Sequence, residues 1–146
     1  MPDAPLFIAS DHAGFALKSH LCRHLQGRSL SIEDLGPHSD QSVDYPDYAH
    51  ALCARVLQSG GRGILICGTG IGMCMAANRH QGIRAALCTH EFQARSCREH
   101  NDANILCLAE RITAPALAAR MADLFLSAAF DGGRHEKRVR GIEVLS

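Results

Sequence analysis

Short apolar runs alternate with longer amphipathic stretches along the chain. Leu6-Phe7-Ile8-Ala9 is a compact apolar run that stops at Ser10-Asp11, which predicts a buried strand. From Gly14 to Leu25, the residues Phe15, Leu17, Leu21, Cys22 and Leu25 recur near one face, which predicts a helix. Leu30 to Leu35 reads as a second strand, closed by Gly36-Pro37. Asp44-Tyr45-Pro46 opens a helix with proline in its first turn, and Tyr48, Ala49, Leu52, Cys53, Val56 and Leu57 carry its apolar face toward Gly60-Gly61. Gly63-Ile64-Leu65-Ile66-Cys67 is the strongest strand pattern, followed by a glycine-rich turn and a helix through Asn78. Ile83 to Cys88 and Asn104 to Leu108 predict two more strands, with a helix from Glu91 to Glu99 between them. Ala114 to Phe130 is a long helical stretch, and Gly132 to Ser146 reads as a loop and a short last helix.

Strands that alternate with helices pair in parallel through right-handed crossovers. Continuous apolar strands are what helices on both sheet faces require. The pattern therefore predicts an α/β protein: a Rossmann-like, doubly wound three-layer α/β/α sandwich around a five-stranded parallel sheet. It is read as one domain over residues 1–146, with a tail helix from about residue 133. Ligands of such sheets bind beyond the carboxyl ends of the strands, so the chemistry is sought there.

Composition narrows the partners. The chain has 146 residues, with Lys plus Arg and Asp plus Glu at 15 each, so its formal net charge is zero. That balance argues against a whole-domain electrostatic grip on nucleic acid or on an anionic membrane. No apolar run approaches the roughly 18 residues of a membrane span, and MPDAPLFIAS lacks the basic and long apolar regions of a secretory signal. The seven cysteines are odd in number and none fall at C-x-x-C spacing, which predicts free thiols in a reduced, cytoplasmic protein and excludes a disulfide scaffold or a zinc ribbon.

The strand ends hold the candidate chemistry. Gly68, Gly70 and Gly72 follow a strand and lead into a helix, a place where backbone amides can meet an anion or oxyanion. The spacing is G-x-G-x-G, with Met73 where a dinucleotide fingerprint needs glycine, and no Lys-Ser/Thr pair follows as in a Walker A loop. A tight strand-to-helix turn would use the same residues. Cys67 abuts those amides, where a thiolate is favoured and can act as nucleophile or base. His12 and His100 stand beside Asp11 and Asp102 in sequence and can serve as acid or base near neutral pH. The other histidines read as structural or solvent-facing; His20 and His24 have ligand spacing but no third partner, so no metal is expected. Arg134 and Arg138, four apart in the tail, share a helix face that suits a phosphate, although a solvated basic helix end looks the same.

Together these residues resemble type B ribose-5-phosphate isomerases, of the family that also holds galactose-6-phosphate isomerase subunits. The resembling pieces are Ser10-Asp11-His12-Ala13-Gly14, Asp44-Tyr45-Pro46, Ile66 to Gly72, Ala76-Ala77-Asn78, Gly82-Ile83-Arg84-Ala85, His100-Asn101-Asp102 with Asn104, and Gly132-Gly133-Arg134-His135. They run in family order over essentially the whole chain. The resemblance implies interconversion of D-ribose 5-phosphate and D-ribulose 5-phosphate through an enediolate, with no metal or other cofactor. It implies Cys67 as the proton-transfer base and the amides of Gly68, Thr69, Gly70, Ile71 and Gly72 as stabilisers of the enediolate oxygen. Thr69 and Asp11 would assist at sugar hydroxyls and in ring opening, and His100 would be the ring-opening acid. Asn101 would bind the sugar, Tyr45 would line the site, and His12, Arg111, Arg134 and Arg138 would hold the phosphate. The resemblance also implies a homodimer or a dimer of dimers with the site at the subunit interface. Members that lack the strand-end cysteine use a glutamate in the turn; Met73 occupies that position here, which places this chain with the cysteine users.

Three other readings compete. An isomerase of a six-carbon aldose phosphate (allose or galactose 6-phosphate) would use the same groups, although the galactose-6-phosphate subunits generally lack the full His-Asn and Gly-Gly-Arg-His features. A non-catalytic sugar-phosphate-binding module needs no base at Cys67 and no His100. A redox thiol protein lacks a C-x-x-C pair, and Cys74, the nearest partner for Cys67, falls on the following helix.

Overall fold

The structure, a computed structural model, describes residues 4–144. Residues 1–3, where the stretch read as lacking a leader begins, and residues 145–146, where the expected tail ends, lie outside the described residues. The elements alternate as β1 (Leu6–Ser10), α1 (Phe15–Leu25), β2 (Ile32–Asp34), α2 (Tyr45–Ser59), β3 (Arg62–Cys67), α3 (Ile71–Ala77), β4 (Ala85–Leu87), α4 (Glu91–Glu99), β5 (Ile105–Ala109), α5 (Pro115–Ser127) and α6 (Arg134–Arg140). All four strand pairings are parallel, in the order β2-β1-β3-β5-β4. The expected doubly wound α/β sheet is therefore present.

The alternation of side chains along the strands builds the layers. Leu6, Ile8, Ile64, Ile66, Leu106 and Leu108 face α1, α4 and α5, where Leu21, Met121 and Phe125 are fully buried. Phe7, Ala9, Leu65, Cys67, Ile105 and Cys107 face α2 and α3. From β1 the chain steps outward to β2 and then returns past β1 to β3. That reversal opens a crevice between the carboxyl ends of β1 and β3, the usual ligand position in open α/β sheets.

The edge strands are shorter than their apolar patterns predict. Ile32–Asp34 replaces Leu30–Leu35, and Ala85–Leu87 replaces Ile83–Cys88. Each pairs on one side only, so hydrophobicity continues where the ladder stops. At β4 a side chain supplies the missing neighbour: Asn78 donates to the Ala85 carbonyl and accepts from the Ala85 amide, both at 2.9 Å. The α5 helix ends at Ser127 rather than Phe130, because Ala128 turns extended and the Asp131 amide ties to the Glu99 carbonyl at 2.9 Å.

Two tight contacts position the crevice. Lys18 is buried on α1 and donates to both carboxylate oxygens of Asp34 (2.7 and 2.8 Å) and to the Pro37 carbonyl (2.8 Å), which anchors the chain after β2. Gly14, at the start of α1, lies directly against β3: a Cβ there would stand 2.5 Å from the Ile66 carbonyl oxygen and 2.8 Å from Ile66 Cγ2. Neither neighbour is the free end of a flexible chain. Gly14→Ala is expected to cost about 1–3 kcal/mol by overpacking, seen as a lower Tm. Activity should fall with it, because the same displacement moves Asp11.

Candidate active site

Five parallel strands bring Asp11, His12, Cys67 to Gly72, Glu110 and Arg111 to one edge of the sheet. The Asp11 amide donates to the Ile66 carbonyl at 3.1 Å, and its carboxylate accepts from the Gly14 amide at 3.0 Å, so Asp11 is fixed beside the end of β3. The next residue, His12, is exposed. Its Nδ1 accepts from the Val43 amide at 3.1 Å, which leaves Nε2 as the ring's donor.

Cys67 closes β3 and is 5% exposed. Its sulfur accepts from the Gly70 amide at 3.2 Å. Gly70 makes this bond from a left-handed conformation (φ 75°), a geometry that a side chain at this position would strain. The Ile71 amide turns instead to the Thr69 hydroxyl at 3.3 Å. Thus two of the turn amides organise the turn itself. The Arg111 guanidinium lies over Gly68, where a Cβ would come within 3.1 Å of it, and the Arg111 amide donates to the Gly68 carbonyl at 3.0 Å. The Tyr45 ring, at the start of α2, lies against Gly72, within 2.6 Å of where a Cβ would stand.

Two neighbouring groups carry shifted acidities. Burial pushes the Glu110 carboxyl up and the Asp11 charge adds to it, while a backbone hydrogen bond at Leu17 opposes; one carboxylate oxygen is buried without a partner. Cys74, on α3, is pulled down to about 6 by a hydrogen bond from Cys107 against the effect of burial, with smaller help from Leu87 backbone and Asn78. All seven cysteines are free.

His100, Asn101, Arg134 and Arg138 stand elsewhere in the same chain. His100 follows α4, whose end lies by the amino ends of the strands. The six residues of β3 separate that edge from Cys67, roughly 17 Å at 3.3 Å per residue. The His100 ring stacks on His135 (centroids 4.4 Å apart, planes 11° apart). His100, Asn101, His135, Arg138, Val139 and Ile142 line a cavity of about 390 Å³, with Arg134 one turn before Arg138 on α6. Within one chain the candidate residues thus form two groups: Asp11, His12, Tyr45, the Cys67–Gly72 turn and Arg111 at the carboxyl edge, and His100, Asn101, Arg134 and Arg138 at the amino edge.

Sequence adjacency misassigned the acid beside His100. Asp102 accepts from Arg98 at 2.9 Å and from Arg84 at 3.2 Å, and its carbonyl accepts from Arg84 Nε at 2.8 Å, so it braces the loop before β5. The carboxylate nearest His100 is Asp131, at 3.9 Å. Asp11 and His12 likewise turn to different partners. Asp131 and His135 stand 31 or more residues from His100 in sequence, so adjacency does not connect them to it; the Gly132-Gly133 pair is the sequence signal that the chain turns back there. The half-buried Arg62, which donates to the Phe125 carbonyl at 2.9 Å, and the surface pair of His50 and His80, 2.7 Å apart, account for further polar groups without adding to either cluster. His24 is held by Asp123 at 3.0 Å and His90 caps α4 by accepting from the Phe92 amide at 2.9 Å, in line with structural roles.

No helix among the described residues is long and apolar enough to cross a membrane. Residues 6–142 match the model of the Ribose/Galactose Isomerase family. The probable ribose-5-phosphate isomerase B of Mycoplasma pneumoniae is 50% identical over 138 residues, covering 92% of this chain and 90% of that protein. A ribose 5-phosphate isomerase from Thermotoga maritima superposes with a TM-score of 0.91 at 50% identity, covering 95% of this chain and 97% of the other. The ribose-5-phosphate isomerase B of Mycoplasma genitalium, solved with bound ribulose 5-phosphate, gives a TM-score of 0.91 at 43% identity, covering 94% and 93%. With the strand-end cysteine, the glycine turn and the His-Asn segment all in place, the chain belongs to the ribose/galactose isomerase family.

Proposed function

We propose that residues 1–146 act as one sugar-phosphate isomerase domain that interconverts D-ribose 5-phosphate and D-ribulose 5-phosphate in the cytoplasm. The observation that carries this reading is Cys67, whose sulfur is held by the Gly70 amide at the mouth of the β1–β3 crevice, with Asp11, His12 and Arg111 around it. Relatives named for the pentose phosphate, one with the ketose bound, favour it over a six-carbon aldose phosphate or a non-catalytic module.

His100 protonates the ring oxygen as Asp11, assisted by Thr69, takes up the proton of the C1 hydroxyl, which frees the open-chain aldehyde. The Cys67 thiolate removes the proton from C2, and the electron pair moves onto the carbonyl oxygen at C1 to give the enediolate. Amides of the Gly68–Gly72 turn stabilise that oxygen. Cys67 returns the proton to C1 as the proton of the C2 hydroxyl passes to the C1 oxygen, which leaves the ketose. Asn101 and Tyr45 hold the sugar, and His12, Arg111, Arg134 and Arg138 bind the phosphate, whose binding energy positions the reacting carbons. Because Cys67 and His100 lie at opposite sheet edges, the complete site is formed by two chains in a homodimer, alone or within a dimer of dimers.

Purified protein incubated with ribose 5-phosphate and, separately, with six-carbon aldose phosphates tests the substrate. Ketose should form fastest from the pentose, and faster turnover of a hexose phosphate would replace the reading. Arg138→Ala is expected to raise KM about tenfold or more while kcat changes less, since a remote phosphate contact is made in ground and transition states alike. Steady-state kinetics measures this, and an unchanged KM would remove Arg138 from the phosphate site.

A further inference from the structure

One group of three metal-ligating side chains stands together among the described residues: His100, Asp131 and His135, with one donor atom from each within 4.8 Å of the others. They come from the end of α4, the segment before α6 and the first turn of α6, and two backbone features hold them in place. The Asp131 amide is tied to the Glu99 carbonyl at 2.9 Å, and the His135 amide donates to the Gly132 carbonyl at 3.0 Å. His100 Nε2 is already 3.9 Å from Asp131 Oδ2. Two ligands at about 2.0–2.1 Å from a tetrahedral zinc ion lie roughly 3.3 Å apart. The donors therefore need to close by at most about 1.5 Å, and the two imidazoles, stacked 11° from parallel, must turn out of their stack to aim at one ion, a rotation open to groups that are each partly exposed. Two imidazoles and one carboxylate are the donor set of an open zinc site, and the two histidines also line the cavity. The neighbouring Arg134 and Arg138 oppose a dication, so the site is a modest binder rather than a structural one.

We propose that His100, Asp131 and His135 form a binding site for a late first-row divalent cation, zinc foremost, whose occupation reversibly inhibits the enzyme. The inhibition rests on the proposed role of His100. A metal on its ring nitrogen takes the lone pair that must carry the proton to the sugar ring oxygen. No bond in the protein is made or broken beyond coordination, and a chelator restores the free imidazole. The competing seats for a soft cation are Cys67 and Cys74.

Cobalt(II) titration of the intact protein separates these seats, because thiolate ligation gives an intense charge-transfer absorption that imidazole and carboxylate ligation lack. Visible d–d bands without that absorption are expected, at one equivalent per chain. Asp131→Asn and His135→Gln should each weaken cobalt and zinc binding by about tenfold or more, and should raise the zinc concentration that halves isomerase activity by a similar factor. A chelator should reverse the inhibition of the parent protein. Unchanged metal affinity in both variants, or a thiolate charge-transfer band at the first equivalent, would overturn the site. Full activity with the site loaded would overturn the inhibitory role. Histidine-dependent cobalt binding by a protein that isomerises no sugar phosphate would keep the site and sink the proposed function instead.

Discussion

Cys67→Ala and Cys67→Ser are expected to lower kcat by about 10²–10⁴-fold, the usual contribution of a positioned proton-transfer group, or about 3–5 kcal/mol of barrier. The two variants separate chemistry from structure. Alanine removes the acceptor of the Gly70 amide, which leaves a buried donor and costs about 1–3 kcal/mol of stability. Serine keeps an acceptor at that place, so the turn survives, but its hydroxyl is far too weak an acid to exist as the conjugate base at neutral pH. Both should bind ribose 5-phosphate, and both should fail to exchange the C2 hydrogen with solvent deuterium, followed by NMR. Near-parental turnover in Cys67→Ser would remove Cys67 from the chemistry. Thiol labelling is no substitute for this experiment. Cys74 is half-buried and the hydrogen bond from Cys107 pulls its thiol down to about 6, so label taken up at Cys74, on the helix that follows the same turn, would have to be separated from label at Cys67.

Most of the sheet was legible because local and global preferences agree. Gly63 to Cys67 is apolar throughout and lies at the centre of the sheet, between β1 and β5, where both faces are covered. Glu91–Glu99 begins and ends where its pattern begins and ends, with His90 as an added cap. The errors fall at the sheet margins. Ile83 and Cys88 are apolar and buried, yet they lie outside β4, because burial does not require a ladder partner. The carboxyl-edge half of the site was legible for a topological reason: parallel strands deliver the residues after each strand to one edge, so Asp11, Cys67 and Arg111 gather there whatever their distance in sequence. The amino-edge residues His100, Asn101, Arg134 and Arg138 were legible one by one, but their assembly was not. His100 follows a helix rather than a strand, and its neighbours Asp131 and His135 arrive only because Asp131 is tied to Glu99 and α6 folds back. Charge adjacency pointed to Asp102 instead, which two arginines hold.

Mixing two inactive variants should restore activity. Cys67→Ala lacks the base and His100→Asn lacks the ring-opening acid, so each alone is expected to be nearly inert toward the furanose. If Cys67 of one chain works with His100 of the other, a mixed dimer has one site with both groups intact and one with neither. A two-fold interface uses the same pair of patches twice, so both sites form across it. Random association gives about half mixed dimers and hence about a quarter of the parental sites. The surfaces suit such a pairing: Tyr45 and Ile71 at the carboxyl edge are 39% and 47% exposed, and Ile142 beside the His100 cavity is 50% exposed, apolar groups that an interface would cover. Co-expression with two separable tags isolates the mixed species, which should turn over at about half the parental rate per dimer. Activity no greater than the sum of the two inactive parents would show that each chain completes its own site, and would require His100 to reach Cys67 across the full length of β3.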